Sequence, residues 1–181
     1  VNPRRLHILG ASGAGTTTLG RAIADRWSVP HADVDDYFWE PTDPPYTRQR
    51  EPAARLRLME EIFVARPAWV LTGSIVGWGE SLIPHIDLAV FVTLDPSVRL
   101  ARLRRRERQR YGARIDEGGD LHESTEGFLA WAAGYDDPSF AGRNRALHEA
   151  WLAELPCPVL HVDGDRPLVD LVAEVTGADP P

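Results

Sequence analysis

Lysine is absent from this chain: all 20 basic residues are arginine. Cysteine is nearly so. The single Cys157 excludes an internal disulfide and a cysteine-rich zinc site, and it fits a reducing, cytoplasmic compartment. Flanked by Pro156 and Pro158, that thiol reads as a small buried hydrophobe rather than a nucleophile. No apolar run approaches the roughly 20 residues that a helical bilayer span needs. The first apolar stretch, Leu6-His7-Ile8-Leu9, is too short for the core of a signal peptide. The six histidines are scattered without metal-ligand spacing, so none is assigned to zinc. Internal repeats and low-complexity linkers are also missing. A length of 181 residues then fits one domain over 1–181, or one domain with an inserted lid, expected to be monomeric.

What is present is unevenly charged. Eight arginines (99, 102, 104, 105, 106, 108, 110 and 114) fall within residues 99–114 against one acid, Glu107. The whole chain carries −7 and that stretch +7, which leaves −14 on the remainder. Such a balance disfavours general nucleic-acid or membrane-surface binding but suits a compact polyanion held at one place. For most of these arginines a solvated helix face is the plainer reading. Arg99, Arg102, Arg106 and Arg110 recur at three- and four-residue steps, however, and so share one side of a helix.

Apolar runs alternate with helical patterns along the chain. Strands are expected at residues 6–9, 31–34, 69–72, 88–92 and 158–162. Between them come a helix marked by Leu19, Ala22, Ile23 and Trp27, and one from Pro52 to about Arg66 with Leu56, Met59 and Ile62/Phe63 inward. Asp95-Pro96 opens the arginine-rich helix as cap and first-turn proline. Helices near 121–134, 143–154 and 167–175 follow. Alternation of this kind predicts an α/β fold, a parallel sheet covered on both faces.

The strongest local signal is Gly10-Ala11-Ser12-Gly13-Ala14-Gly15-Thr16-Thr17-Thr18, between the first strand and the first helix. Glycines let backbone N–H groups point inward without side-chain clash, and the helix N-terminus adds partial positive charge, so the segment is suited to cradle phosphates. Thr17 is placed to ligate magnesium through its hydroxyl. At the end of the second strand His31-Ala32-Asp33-Val34-Asp35-Asp36 brings three carboxylates toward that loop, since strand C-termini line the ligand crevice of open α/β sheets. Phosphoryl transfer needs one acid to hold the metal and another to take the acceptor's proton.

The loop resembles the Walker A motif GxxxxGK[ST], with Thr16 where the lysine stands. Together with Asp33-x-Asp35, similar to the DxD of shikimate kinases, and Asp33-x-Asp35-Asp36, similar to gluconate kinases, it places the chain near the P-loop adenylate, shikimate and gluconate kinase group. The resemblance implies a three-layer P-loop NTPase fold, a five-stranded parallel sheet of order 2-3-1-4-5 with a helical lid over about 111–145. It implies ATP as co-substrate and Mg2+ held by Thr17 and Asp33, with Asp35 as acceptor base. The acceptor region would span about 37–66, drawing on Arg48, Arg50, Ser74 (in Thr72-Gly73-Ser74 at the third strand's end) and Trp78. Arg106, Arg110 and Arg114, at the helix end and in the lid, would meet the transferring phosphate. Arg145, eight residues after the second aspartate of Tyr135-Asp136-Asp137, matches an adenylate kinase arginine. Gly164, Arg166 and Pro167, in His161-Val162-Asp163-Gly164-Asp165-Arg166-Pro167, would form the adenine-binding loop.

A neutral Thr16 supplies no charge to the outer phosphates, which leaves two readings open. Either an arginine from elsewhere fills the gap, with Arg106, Arg110, Arg114 and Arg145 the candidates, or the chain binds nucleotide as a sensor or partner module with little phosphotransfer. An RNA-associated role for the arginine helix is disfavoured by the acidic remainder. The small-molecule acceptor is not named by any motif.

Overall fold

The computed structural model describes residues 2–177, and the expected domain is characterised over that span. Five strands, β1 (Arg5–Gly10), β2 (His31–Asp33), β3 (Trp69–Thr72), β4 (Leu88–Thr93) and β5 (Val159–Asp163), form one parallel sheet in the order β2-β3-β1-β4-β5. This is the expected order. Strand alternation sends two apolar sets to opposite faces. Leu6, Ile8, Val70, Val90 and Val92 pack with Leu19, Ile23 and Trp27 of α1 (Thr16–Trp27) and with Leu171 and Val175 of α7 (Leu168–Gly177). Leu71 and Trp69 face the other way, onto Met59 and Phe63, while Leu9, Ala89 and Phe91 meet Leu152 of α6 (Arg145–Ala153).

Between β2 and β3 lie the short α2 (Val34–Phe38) and α3 (Pro52–Met59). The helix expected to run to Arg66 ends sooner, passing into a π turn at Glu60–Val64. That wider turn rotates Ile62 outward to 51% exposure while Phe63 and Met59 stay buried, which corrects the expectation of Ile62 in the core. After β4, α4 (Pro96–Tyr111) begins as expected: the Asp95 carboxylate accepts from the backbone N–H groups of Ser97 and Val98. A 3-10 turn at Gly112–Ile115 and α5 (His122–Ala133) follow, packed back onto α4 through Leu103, Leu129 and Ala132. Gly10, Asp33, Thr72, Thr93 and Asp163 end their strands along one edge of the sheet, and the loops leaving that edge build the site. Among the described residues no helix is long and apolar enough to cross a membrane.

Candidate active site

The loop after β1 owes its shape to two glycines in the left-handed region, Gly13 (φ 86°) and Gly15 (φ 100°), where a side chain would be strained. Gly15 is the N-cap of α1 and brings no side chain to the helix end. The first turn also holds no acidic residue, so the free N–H groups and the positive end of the helix dipole remain open to an anion. The loop is braced from behind: a Cβ on Gly13 would lie 2.8 Å from both the Arg99 carbonyl and Leu103 Cγ, and one on Gly164 would lie 2.6 Å from the Ala14 carbonyl. The segment after β5 therefore abuts the loop.

Thr17 and Asp33 meet. Thr17 Oγ1 donates to Asp33 Oδ2 at 2.9 Å, and Asp33 Oδ1 accepts the Asp35 backbone N–H at 3.1 Å, capping α2. A hydroxyl and a carboxylate side by side at the mouth of a phosphate loop are hard oxygen donors of the kind Mg2+ takes, an ion that keeps several waters and needs few protein ligands. No cluster of three metal-binding side chains occurs among the described residues. A phosphate-shared magnesium fits this donor set and a dedicated all-protein cage does not.

Asp35 opens onto the same cleft. Partial desolvation between the cleft walls, then the Asp33 carboxylate, push its pKa up, while Arg143 and Arg106 draw it down. Across the cleft the Tyr46 phenol is shifted up by burial and drawn down by Arg110 and Arg106. Tyr46 sits at φ 63°, a strained setting for an aromatic residue. Asp35, Arg106 and Arg110 thus all act electrostatically on the Tyr46 phenol.

The remaining expected residues are distributed more widely. Arg48 pairs with Glu40 on the exposed side of its loop. Arg50 donates to the carbonyls of Tyr37 and Trp39, both at 3.2 Å, so it holds the loop's backbone rather than reaching for a ligand. Trp78 packs against Phe38, and the buried Arg55 guanidinium lies 3.8 Å from the Phe38 ring centroid. Ser74 turns away from the cleft: it is 6% exposed and bonds His148 Nε2 at 3.0 Å, while His148 Nδ1 bonds the Tyr135 hydroxyl at 2.8 Å. Ser74 therefore belongs to a buried hydrogen-bonded chain with His148 and Tyr135. Arg114 pairs with Asp120, Arg166 with Glu174, and Arg145 with Glu149 one helical turn on. Pro167 begins the final helical turn, accepting from Asp170 and Leu171.

Two arginines outside the expected set touch the phosphate loop. Arg99, fully buried, donates to the Ala132 carbonyl at 2.9 Å and the Asp136 carboxylate at 2.8 Å, and reaches the Ser12 carbonyl at 3.4 Å. Arg143 Nη2 donates to Ser12 Oγ at 3.1 Å, and its guanidinium lies 5.0 Å from the Trp131 ring centroid. The helix periodicity carried a signal for Arg99; nothing in the spacing favoured Arg143 over Arg145.

No family model matches the chain. It is 43% identical over 162 residues to the uncharacterized protein YqaC of Bacillus subtilis (strain 168), covering 90% of this chain and 89% of that protein. The chain belongs to the YqaC family. A cytidylate kinase of Methanocorpusculum labreanum is 27% identical over 114 residues, 57% of this YqaC-family chain and 63% of the kinase. Among solved structures, shikimate kinase from Bacteroides thetaiotaomicron superposes with a TM-score of 0.57 at 18% identity, covering 96% of this chain and 97% of that one. A gluconokinase from Sinorhizobium meliloti 1021 gives 0.51 at 20% identity over 97% and 90%. The YqaC-family chain thus has the P-loop kinase fold, with the sheet order expected from its sequence.

Proposed function

We propose that this YqaC-family chain is an ATP-dependent phosphotransferase acting on a hydroxyl or phosphate oxygen of a small metabolite or nucleotide. The observation that carries the reading is the Thr17–Asp33 pair at the mouth of the phosphate loop, with Asp35 two residues beyond it on the acceptor side. Backbone N–H groups of Gly13 to Thr18 would hold the outer phosphates, and Gly164 to Pro167 would border the base. Thr17 and Asp33 would hold Mg2+, which neutralises charge on the phosphate oxygens when bound. In the transfer, the acceptor oxygen forms a bond to the γ-phosphorus as the bond to the β–γ bridging oxygen breaks, and ADP leaves. Where the acceptor is a hydroxyl, its proton passes to the Asp35 carboxylate. The raised pKa of Asp35 suits that role, because a carboxylate nearer neutrality is the stronger base. Tyr46, Arg106 and Arg110 border the place where the acceptor would lie.

The test is single-turnover transfer from γ-labelled ATP to a panel of hydroxylated and phosphorylated metabolites, with and without magnesium. Label appearing on at least one acceptor only with the metal supports the reading, and loss of that transfer in Asp35→Asn supports the base. A panel with no labelled product, from protein that binds ATP, would favour the second reading, a nucleotide-binding sensor. Thr16, the neutral residue at the lysine position, is the observation behind that alternative.

A further inference from the structure

We infer that Arg143, reaching the phosphate loop from the segment before α6, supplies the positive charge that the loop itself lacks at Thr16. The inference rests on the nucleotide-binding reading above and assigns a residue that the sequence pattern passed over.

Three observations carry it. The first is pairing. Each arginine the sequence offered for this duty already faces a carboxylate: Arg106 at 2.8 Å and Arg110 at 3.9 Å from Glu107, Arg114 at 2.6 Å from Asp120, and Arg145 at 2.7 Å from Glu149. Arg99 is neutralised too, by Asp136. Arg143 has no ion pair among the described residues, and its Nε is buried without a hydrogen-bond partner. An uncompensated cation out of water is costly, and guanidinium tolerates the setting because it does not give up its proton. Such a group is stabilised when an anion arrives.

The second observation is place. Arg143 Nη2 donates to Ser12 Oγ inside the phosphate loop at 3.1 Å, so its guanidinium sits directly against the loop that would hold the triphosphate. The third is restraint. The Trp131 ring lies 5.0 Å from the guanidinium, and the next residue, Asn144, caps α6 by accepting the Leu147 N–H at 2.9 Å. His148 of that helix is tied to both Tyr135 and Ser74. A cation held this firmly needs little reorganisation at the moment of transfer. A strut is the competing explanation, and Arg99, whose Nε is also buried without a partner, is one; the difference is that Asp136 meets the charge of Arg99 and no carboxylate among the described residues meets that of Arg143.

The experiment is calorimetric titration of the full chain with MgATP and with MgADP, for the wild type, Arg143→Gln, Thr16→Lys, the double variant, and Arg21→Gln as an exposed control. The inference predicts that Arg143→Gln weakens MgATP binding at least tenfold and MgADP binding less than threefold. It also predicts that adding Thr16→Lys to Arg143→Gln restores MgATP affinity to within threefold of wild type. Equal losses for the two nucleotides, no loss, or no rescue would overturn it. If Arg143→Gln fails to unfold cooperatively on heating, Thr16→Lys alone decides. With Arg143 already in place a second cation gains less than threefold for MgATP, and a gain of tenfold or more refutes the inference. Absence of heat with MgATP in the wild type removes the nucleotide-binding reading itself, and is seen before any variant is examined.

Discussion

At the smallest scale, one substitution separates the structural duty of Asp33 from the metal-binding duty proposed for it. Asp33 caps α2 through one oxygen and accepts from Thr17 through the other. Asparagine caps a helix about as well as aspartate does but brings no charge to a metal. Asp33→Asn is therefore expected to leave the thermal midpoint within about 2 °C of wild type while phosphoryl transfer falls on the order of 10²-fold; a large drop in midpoint with transfer preserved would contradict the assignment. A second residue-scale prediction concerns acid. Burial holds His7 neutral with a pKa lowered to about 4, and burial, then Arg143 and His7, lower His148 to about 3. The unfolded chain takes up these protons near pH 6.5, so it binds more protons than the native state below that pH. Their contribution is fully present above pH 6.5 and is lost as pH falls, from 6.5 to about 4 for His7 and to about 3 for His148, at up to about 1.4 kcal/mol per pH unit for each. Among the described residues neither ring nitrogen of His7 makes a well-formed hydrogen bond, the Leu71 backbone only drawing its pKa up against the larger effect of burial, and the ring lies 5.7 Å from that of Trp151. His7→Leu should leave stability at pH 7 unchanged or raised and should flatten the acid slope by about one proton; denaturant titrations at pH 7, 6 and 5 measure both.

At the scale of elements, α4 is the spine that joins the loop after β1 to α5 and the turn that follows it. Its first turns bury Arg99 against Ala132, Asp136 and the back of the loop, while Arg102 donates to the Gly164 carbonyl at 3.0 Å and to Asp165 at 3.0 Å, pinning the segment after β5. Arg99→Met keeps the apolar stem but leaves the Ala132 carbonyl and Asp136 without their donor. Since Asp136 retains 30% side-chain exposure, water compensates part of that loss. A cost of about 2–3 kcal/mol is expected, or roughly 5–10 °C in thermal midpoint, and a shift under 2 °C would refute the spine role. The three- and four-residue spacing of these arginines was legible in the sequence; what each one reaches was not. Periodicity gives the face of a helix but not the neighbour across it. That is why Arg106 and Arg110, like Arg114 and Arg145 which the family resemblance offered, were plausible phosphate contacts, although each is within 4 Å of a carboxylate.

Across the whole molecule, sheet order and element order followed from the alternation of apolar runs with helical patterns, because strands buried on both faces carry continuous hydrophobic sequence. The left-handed glycines of the loop after β1 and the Thr17–Asp33 contact were legible for a related reason: they depend on backbone geometry and adjacent residues, which sequence spacing records directly. Side-chain directions were less so: Ser74 follows the third strand's end as expected but turns to His148, and Tyr46 sits in a left-handed turn that no motif announces. Such directions are fixed by tertiary contacts far apart in sequence. The account stands on the phosphate loop receiving a nucleoside triphosphate together with magnesium. Calorimetric titration of the wild-type chain with ATP, with and without Mg2+, measures that most directly. The prediction is one-to-one binding, strengthened at least about tenfold by the metal; no heat of binding, or binding that magnesium leaves unchanged, would contradict it.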